Sequence, residues 1–247
     1  MWNTMGDSAA SARPSITSDP QDVYREFRQP LLVLALTTGI AGFVDAFAFL
    51  RYGAFVANQS GNAVLLGIGL AGRHAAWPES AASLVAFAAG TGVVSQVRAA
   101  RSLWSPSLRG LACAVVTLAL WAVLNVLLHH GRQGGPSRIA LAAAGGFAMG
   151  ALATLFVRTA GITTAITYQS GTVAKIGERV GRWLAGPDAR RKQARQGTFL
   201  GLLALICYAA GGGIGTVAQE QPLWVPAWGA LALSTLSFLV RSRRSRR

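Results

Sequence analysis

A single carboxylate stands deep inside an apolar stretch of this chain. Asp45, within Gly42-Phe-Val-Asp-Ala46, is the only acid in an apolar block and away from its ends. An ionisable side chain in hydrocarbon is costly, so it must face protein, a watery cavity or a cation. Two roles fit: a coupling group or ligand for a proton, cation or solute, or a structural pair with an arginine, Arg51 being the nearest in sequence. Two polar interruptions accompany it, Asn58-Gln-Ser-Gly-Asn62 and Tyr168-Gln-Ser-Gly-Thr172. If helices break at these Ser-Gly steps, the freed backbone groups become ligands for a solute or ion. If they do not break, the amides and hydroxyls tie helices together. The candidate solute or ion pathway is therefore Asp45, Asn58, Gln59, Ser60, Asn62, Thr167, Gln169 and Ser170.

Other chemistries find no constellation. His74 is alone, and His129 and His130 lie at the end of an apolar block, where they read as surface residues. Cys113 and Cys207 sit inside apolar blocks, without the spaced partners of a disulfide framework or metal site. No phosphate-cradling Gly-rich loop and no Ser-His-Asp set stands out. The expectation is no catalytic residue, no metal, no cofactor and no enzyme.

The elements that position these residues follow from the solvent. Hydrophobic residues make up 52% of the chain and charged ones 13%, against roughly a quarter charged in soluble domains. The apolar residues run in blocks rather than in the interleaved pattern of amphipathic helices. At roughly 20 residues per crossing, six spans are clear: 30–50, 79–97, 108–128, 139–157, 198–217 and 223–240. Two more stretches, 54–72 and 161–180, contain the polar motifs. Each fits a short crossing, a broken helix or a re-entrant loop, and irregular backbone there must face protein or a cavity. The fold class is an all-α polytopic membrane protein with six to eight crossings.

The net charge of +14 raises nucleic acid as a partner, but its placement argues against it. Lys and Arg gather in the tails and short connections, as basic cytoplasmic loops would leave them. The basic run Arg179 to Arg195 and the tail Arg241 to Arg247 are expected to be cytoplasmic, and so is the N-terminus. Residues 1–29 contain no apolar run that would make a cleaved signal peptide. They read as a disordered cytoplasmic tail, 30–240 as one membrane domain of the cytoplasmic membrane, and 241–247 as a basic tail. The expected partners are the lipid bilayer and a small solute or coupling ion. The oligomeric state is left open.

The chain also resembles itself. Phe87-Ala-Ala-Gly-Thr-Gly-Val93 matches Tyr208-Ala-Ala-Gly-Gly-Gly-Ile214, each downstream of a Gln-Ser-Gly motif. Upstream again, Phe49-Leu-Arg51 matches Phe156-Val-Arg158. Three landmarks in one order predict two homologous halves, 30–129 and 137–240. Each would hold three clear transmembrane helices and one polar, interrupted or short segment. An odd number of crossings per half makes the halves inverted, and an even number makes them parallel. Extra residues around 187–196 fill the second basic connection and are expected in a loop. The glycines at 90, 92, 211, 213 and 215, with Gly146 and Gly150, read as surfaces for close helix approach.

Gly42-Phe-Val-Asp-Ala46, Phe55-Val-Ala-Asn58 and Ser60-Gly-Asn62 resemble the YoaK-like family of bacterial integral membrane proteins, a family of unknown function. The likeness runs from about Leu31 to Val240. In that family the second half tends to carry Gln-Asn before its Arg, where this chain has Leu152-Ala153, so a polar role for that copy is in doubt. The resemblance implies membrane residence and no particular substrate. Duplicated halves with paired interruptions favour a transporter or channel-like permease. The alternative is a non-transporting scaffold or a lipid- or partner-binding protein.

Overall fold

The computed structural model describes residues 29–100, 104–129, 135–155, 169–185 and 188–236. They form eight α-helices: α1 (Pro30–Tyr52), α2 (Gln59–Leu70), α3 (Trp77–Ala99), α4 (Pro106–His129), α5 (Gly135–Ala153), α6 (Gln169–Ala185), α7 (Asp188–Val217) and α8 (Val225–Ser234). There is no strand among the described residues. Among the described residues, four helices are long and apolar enough to cross a membrane: Leu31–Tyr52, Trp77–Ala99, Pro106–Leu128 and Arg191–Glu220. Of these, α1 is the most enclosed, with 67% of its apolar window buried against 22–33% in the other three. The protein is thus an all-α polytopic membrane protein.

Proline at N1 or N2 opens α1, α3 and α8, where its missing N–H costs nothing and its fixed φ suits the first turn. Gly53, at φ 76, closes α1 in the left-handed region and returns its N–H to Phe49 O at 2.8 Å. A residue with a Cβ is strained there. The chain consequently turns back on itself instead of leaving the bundle.

Two crossings hold the bundle together, both lined with glycine. In the first, Gly42 of α1 lies on the backbone of Tyr208 and Gly212 in α7, Gly211 on Gly39, and Gly215 on Phe43. In the second, Gly146, Gly150 and Gly90 bring α5 and α3 together at Ser83, Phe87 and Phe147. Both pairs run parallel, since residue numbers rise together on the two partners. Without a hydrophobic drive between helices in lipid, backbone-to-backbone packing of this kind supplies the attraction. Gly92 and Gly213 behave differently, as a Cβ there meets nothing within 4 Å. The packing expectation is corrected for these two, which point to the periphery of α3 and α7.

Contacts at the helix ends fix direction. The end of α1 meets the start of α5 through Arg138 Nη2 to Tyr52 O at 2.7 Å, and the start of α3 through Gly53 against Ala76. The Tyr52 hydroxyl reaches Asn125 Oδ1 near the end of α4 at 3.0 Å, and Asn125 Nδ2 reaches Pro222 O before α8 at 2.9 Å. Gln219, just past α7, donates to Phe47 O at 3.2 Å. At the opposite face, Arg98 of α3 bonds Thr154 O after α5, and Gly110 at the start of α4 abuts Leu155. Six helices therefore alternate in direction between two faces, and α1 runs opposite to α5. The edge-to-face rings of Phe47, Tyr52 and Trp121, at 5.7 and 6.0 Å, fill the space between α1 and α4.

The remaining helices do not continue the alternation. The 12 residues of α2 rise about 18 Å, short of the roughly 30 Å hydrocarbon layer. Gly69 at its end lies on Trp77, so α2 returns to the face that α1 had reached. Within 54–72 the chain thus doubles back beside α1 instead of running on to the opposite face. Helix α6 pairs with the start of α7 through Arg179 Nη1 to Gly197 O at 2.9 Å. Residues 188–196, expected in a loop, form the first turns of α7. Their Ala, Arg, Lys and Gln are strong helix formers, and the partner helix holds them.

Candidate functional site

Asp45 projects from the seventh residue before the end of α1 and is 2% exposed. The chain reverses at Gly53, descends through 54–58 and begins α2 beside that carboxylate. Asp45 Oδ1 accepts the N–H groups of Val56 at 2.8 Å and Ala57 at 2.6 Å, and Oδ2 accepts that of Asn58 at 2.9 Å. The Tyr208 hydroxyl of α7 donates to Oδ2 as well. The carboxylate thus caps a concave run of backbone donors at the entrance to a half-helix, where the helix dipole also favours negative charge. For the structural alternative, Arg51 is the nearest arginine in sequence. The partners are backbone donors and a tyrosine instead, because the descending turn brings three N–H groups into a layer that has no water to satisfy them.

The other motif residues complete the same turn. Asn62, fully buried, accepts from Phe55 N at 2.8 Å and donates to Phe55 O at 2.7 Å, imitating a strand partner. Its amide also reaches Gln59 Oε1 at 2.9 Å. Gln59 Nε2 donates to Val56 O at 2.8 Å and to Ser83 Oγ at 3.3 Å, while Ser83 Oγ donates to Phe55 O at 2.7 Å. Asn58 caps α2 by accepting from Gly61 N at 3.3 Å and from Ser60 Oγ at 2.8 Å. The ring of Phe55 stacks on Phe49 with centroids 4.6 Å apart. Every backbone N–H from Phe55 to Gln59 has a partner.

Five of the eight candidate residues, Asp45, Asn58, Gln59, Ser60 and Asn62, therefore come together. Thr167 lies outside the described residues, as do the side chains of Gln169 and Ser170. Helix α2 packs on α3 and α6 on α7, with no substantial contact between α2 and α6. Two participants were missed. Ser83 is one of several hydroxyls in α3, with Ser80, Thr91 and Ser95, and nothing in the sequence singles it out. Tyr208 carried a readable signal: its counterpart in the Phe87 motif lacks the hydroxyl, and the position matching Asp45 lacks the carboxylate. Both halves of the pair are present at one crossing and absent at the other. Replacing Tyr208 by Phe removes a bond to a charged acceptor, worth about 2 kcal/mol. Thermal unfolding in detergent is expected to fall by about 4–8 °C.

Among the described residues, open grooves of about 450, 510 and 450 Å³ lie on the outer surface. The first runs between α1, α7 and α8 over Leu36, Gly39, Phe43, Cys207 and Trp228; the second lies between α4 and α8. Their walls are overwhelmingly apolar, and none of the three includes Asp45, Asn58, Gln59, Ser60 or Asn62.

Fold and site together define a polytopic helical membrane protein with a short helix that doubles back and is locked to a buried acid. The chain belongs to the family described as protein of unknown function (DUF1275), which matches residues 33–240. No curated protein and no solved structure matches it.

Proposed function

We propose that this protein is a permease of the cytoplasmic membrane for a small solute, with no catalytic role, built from two inverted halves of three crossings each. One observation carries the reading. A half-helix begins at membrane depth, and its entrance is held by an acid from the first half and a tyrosine from the second. Discontinuous helices at the junction of inverted repeats are the usual place for solute and ion sites. Support for the repeat comes from the crossings. The contact of Gly42 with Tyr208 becomes that of Gly150 with Phe87, and Gly211 with Gly39 becomes Gly90 with Phe147. One shift of 108 residues relates the α1 and α5 members, and one of 121 relates α7 and α3. The antiparallel course of α1 and α5 agrees with inversion.

A second reading has its own support. The polar atoms of the turn are paired with one another and the grooves are apolar, which suits a non-transporting scaffold. Proteoliposomes separate the two. Osmotic swelling is followed by light scattering against panels of sugars, amino acids, carboxylates and inorganic ions. Permeation of one class above empty liposomes, altered by Asp45→Asn, is the expected result. Rates equal to empty liposomes across all panels would overturn the permease reading in favour of the scaffold.

The topology has a separate test. Six crossings with cytoplasmic termini place a reporter fused after Gly72 or Arg132 outside and one fused after Arg101 inside. An external reporter at Arg101 would restore eight crossings and sink the inversion.

A further inference from the structure

The helix α6 differs from its counterpart α2 in a way the hairpin architecture does not require. No charged residue occurs in Gln59–Leu70, yet α2 packs on α3 as α6 packs on α7. In Gln169–Ala185 the sequence is strongly amphipathic: Lys175, Glu178, Arg179 and Arg182 cover one arc, and Val173, Ile176, Val180, Trp183 and Leu184 another. Ile176 and Thr172 lie against Gly201 of α7, and Arg179 lies over Gly197. Other side chains on both flanks face away from the protein. Val173 is 51%, Trp183 42% and Leu184 72% exposed, next to the exposed ion pair of Arg182 with Glu178. The first turns of α7 add exposed Lys192 and Arg195. Between residues 169 and 198 there are seven Lys or Arg and two acids.

An apolar flank and a basic flank side by side have one environment that satisfies both. In water Leu184 and Trp183 would stand uncovered, and in hydrocarbon the arginines would. At the interface the apolar flank enters the acyl boundary and the cations meet phosphate. A tryptophan on that boundary sits where its amphipathic ring is favoured. Clustered Lys and Arg on an amphipathic helix beside a crossing attract anionic headgroups over zwitterionic ones.

We propose that the α6–α7 hairpin is a docking surface for anionic phospholipid headgroups, with Trp183 and Leu184 seated among the acyl chains and Arg182, Lys192 and Arg195 on the phosphate. This holds whether or not the protein moves a solute. The test uses the full chain purified in mild detergent and native mass spectrometry. Phosphatidylglycerol and phosphatidylcholine with identical chains are offered in equal amounts. Wild type is expected to retain phosphatidylglycerol about tenfold over phosphatidylcholine. The triple variant Arg182→Gln, Lys192→Gln, Arg195→Gln should fall below about twofold while unfolding at the wild-type temperature. If the triple variant does not accumulate, Lys192→Gln alone, at an exposed position, should show a partial loss. Millimolar inorganic phosphate should leave the lipid bound, and its displacement of the lipid would mean an anion site instead of a lipid surface. Equal retention of the two lipids by wild type, or an unchanged preference in the variants, overturns the proposal.

Discussion

Asp45→Ala is expected to lower the unfolding temperature of the purified protein by about 10–20 °C. The carboxylate receives the N–H groups of Val56, Ala57 and Asn58 and the hydroxyl of Tyr208. Alanine leaves all four without an acceptor in a buried turn. An orphaned buried donor costs about 1–3 kcal/mol, and partial relaxation of the turn brings the sum to about 5 kcal/mol. Asp45→Asn keeps one oxygen but turns an NH₂ group toward other donors, so it should fall between alanine and wild type. Differential scanning fluorimetry in one detergent checks the order. The result also separates two roles. A group serving only as a coupling site in a watery path would leave the fold's stability nearly untouched when neutralised. An unchanged unfolding temperature for Asp45→Ala would therefore show that the carboxylate is not the anchor of the turn.

The second large effect lies at the helix crossings. Gly42→Val and Gly150→Val are expected to abolish accumulation of a monodisperse protein, at a cost of about 3 kcal/mol or more each. A Cβ at Gly42 would fall onto the carbonyl of Tyr208, and one at Gly150 onto that of Phe87. These obstacles are backbone, so no side-chain rotation relieves them, and the helices must separate. Gly92→Ala and Gly213→Ala, one turn or less from Gly90 and Gly211, meet nothing within 4 Å. They should stay within about 1 kcal/mol of wild type, since alanine favours helix over glycine. Membrane-fraction yield with a fluorescent fusion, followed by size exclusion, reads all four. Loss of the Gly92 and Gly213 variants alongside the others would mean that the outer faces of α3 and α7 are covered by something in the membrane.

These contrasts show where reading the chain alone reaches its limit. Membrane residence followed from composition, because 13% charge cannot coat a soluble core and long apolar blocks have only lipid to face. Four of the six clear spans became helices long enough to cross, and the other two hold α5 and α8 in the same alternating order, since an apolar run in hydrocarbon leaves a helix as the satisfied backbone. The Asn58-to-Asn62 motif was visible as a place where that rule is strained. Its pairing was not. Which donor meets Asp45 depends on how far the chain descends after Gly53, and no spacing encodes that depth. Asp45 and Arg51 are close in sequence, but the turn delivers three N–H groups instead.

The amino-acid order by itself determined the solvent, the helical class and the positions of the four long apolar helices, because each is set by local hydropathy against a bilayer of fixed thickness. Tertiary structure decided that α2 turns back, that α1 runs against α5, that Gly90 and Gly211 pack while Gly92 and Gly213 do not, and that Tyr208 shares the carboxylate of Asp45. Those outcomes depend on which helix faces which across the bundle. That is a matter of long-range packing, and glycines two residues apart have the same local signature but opposite surroundings.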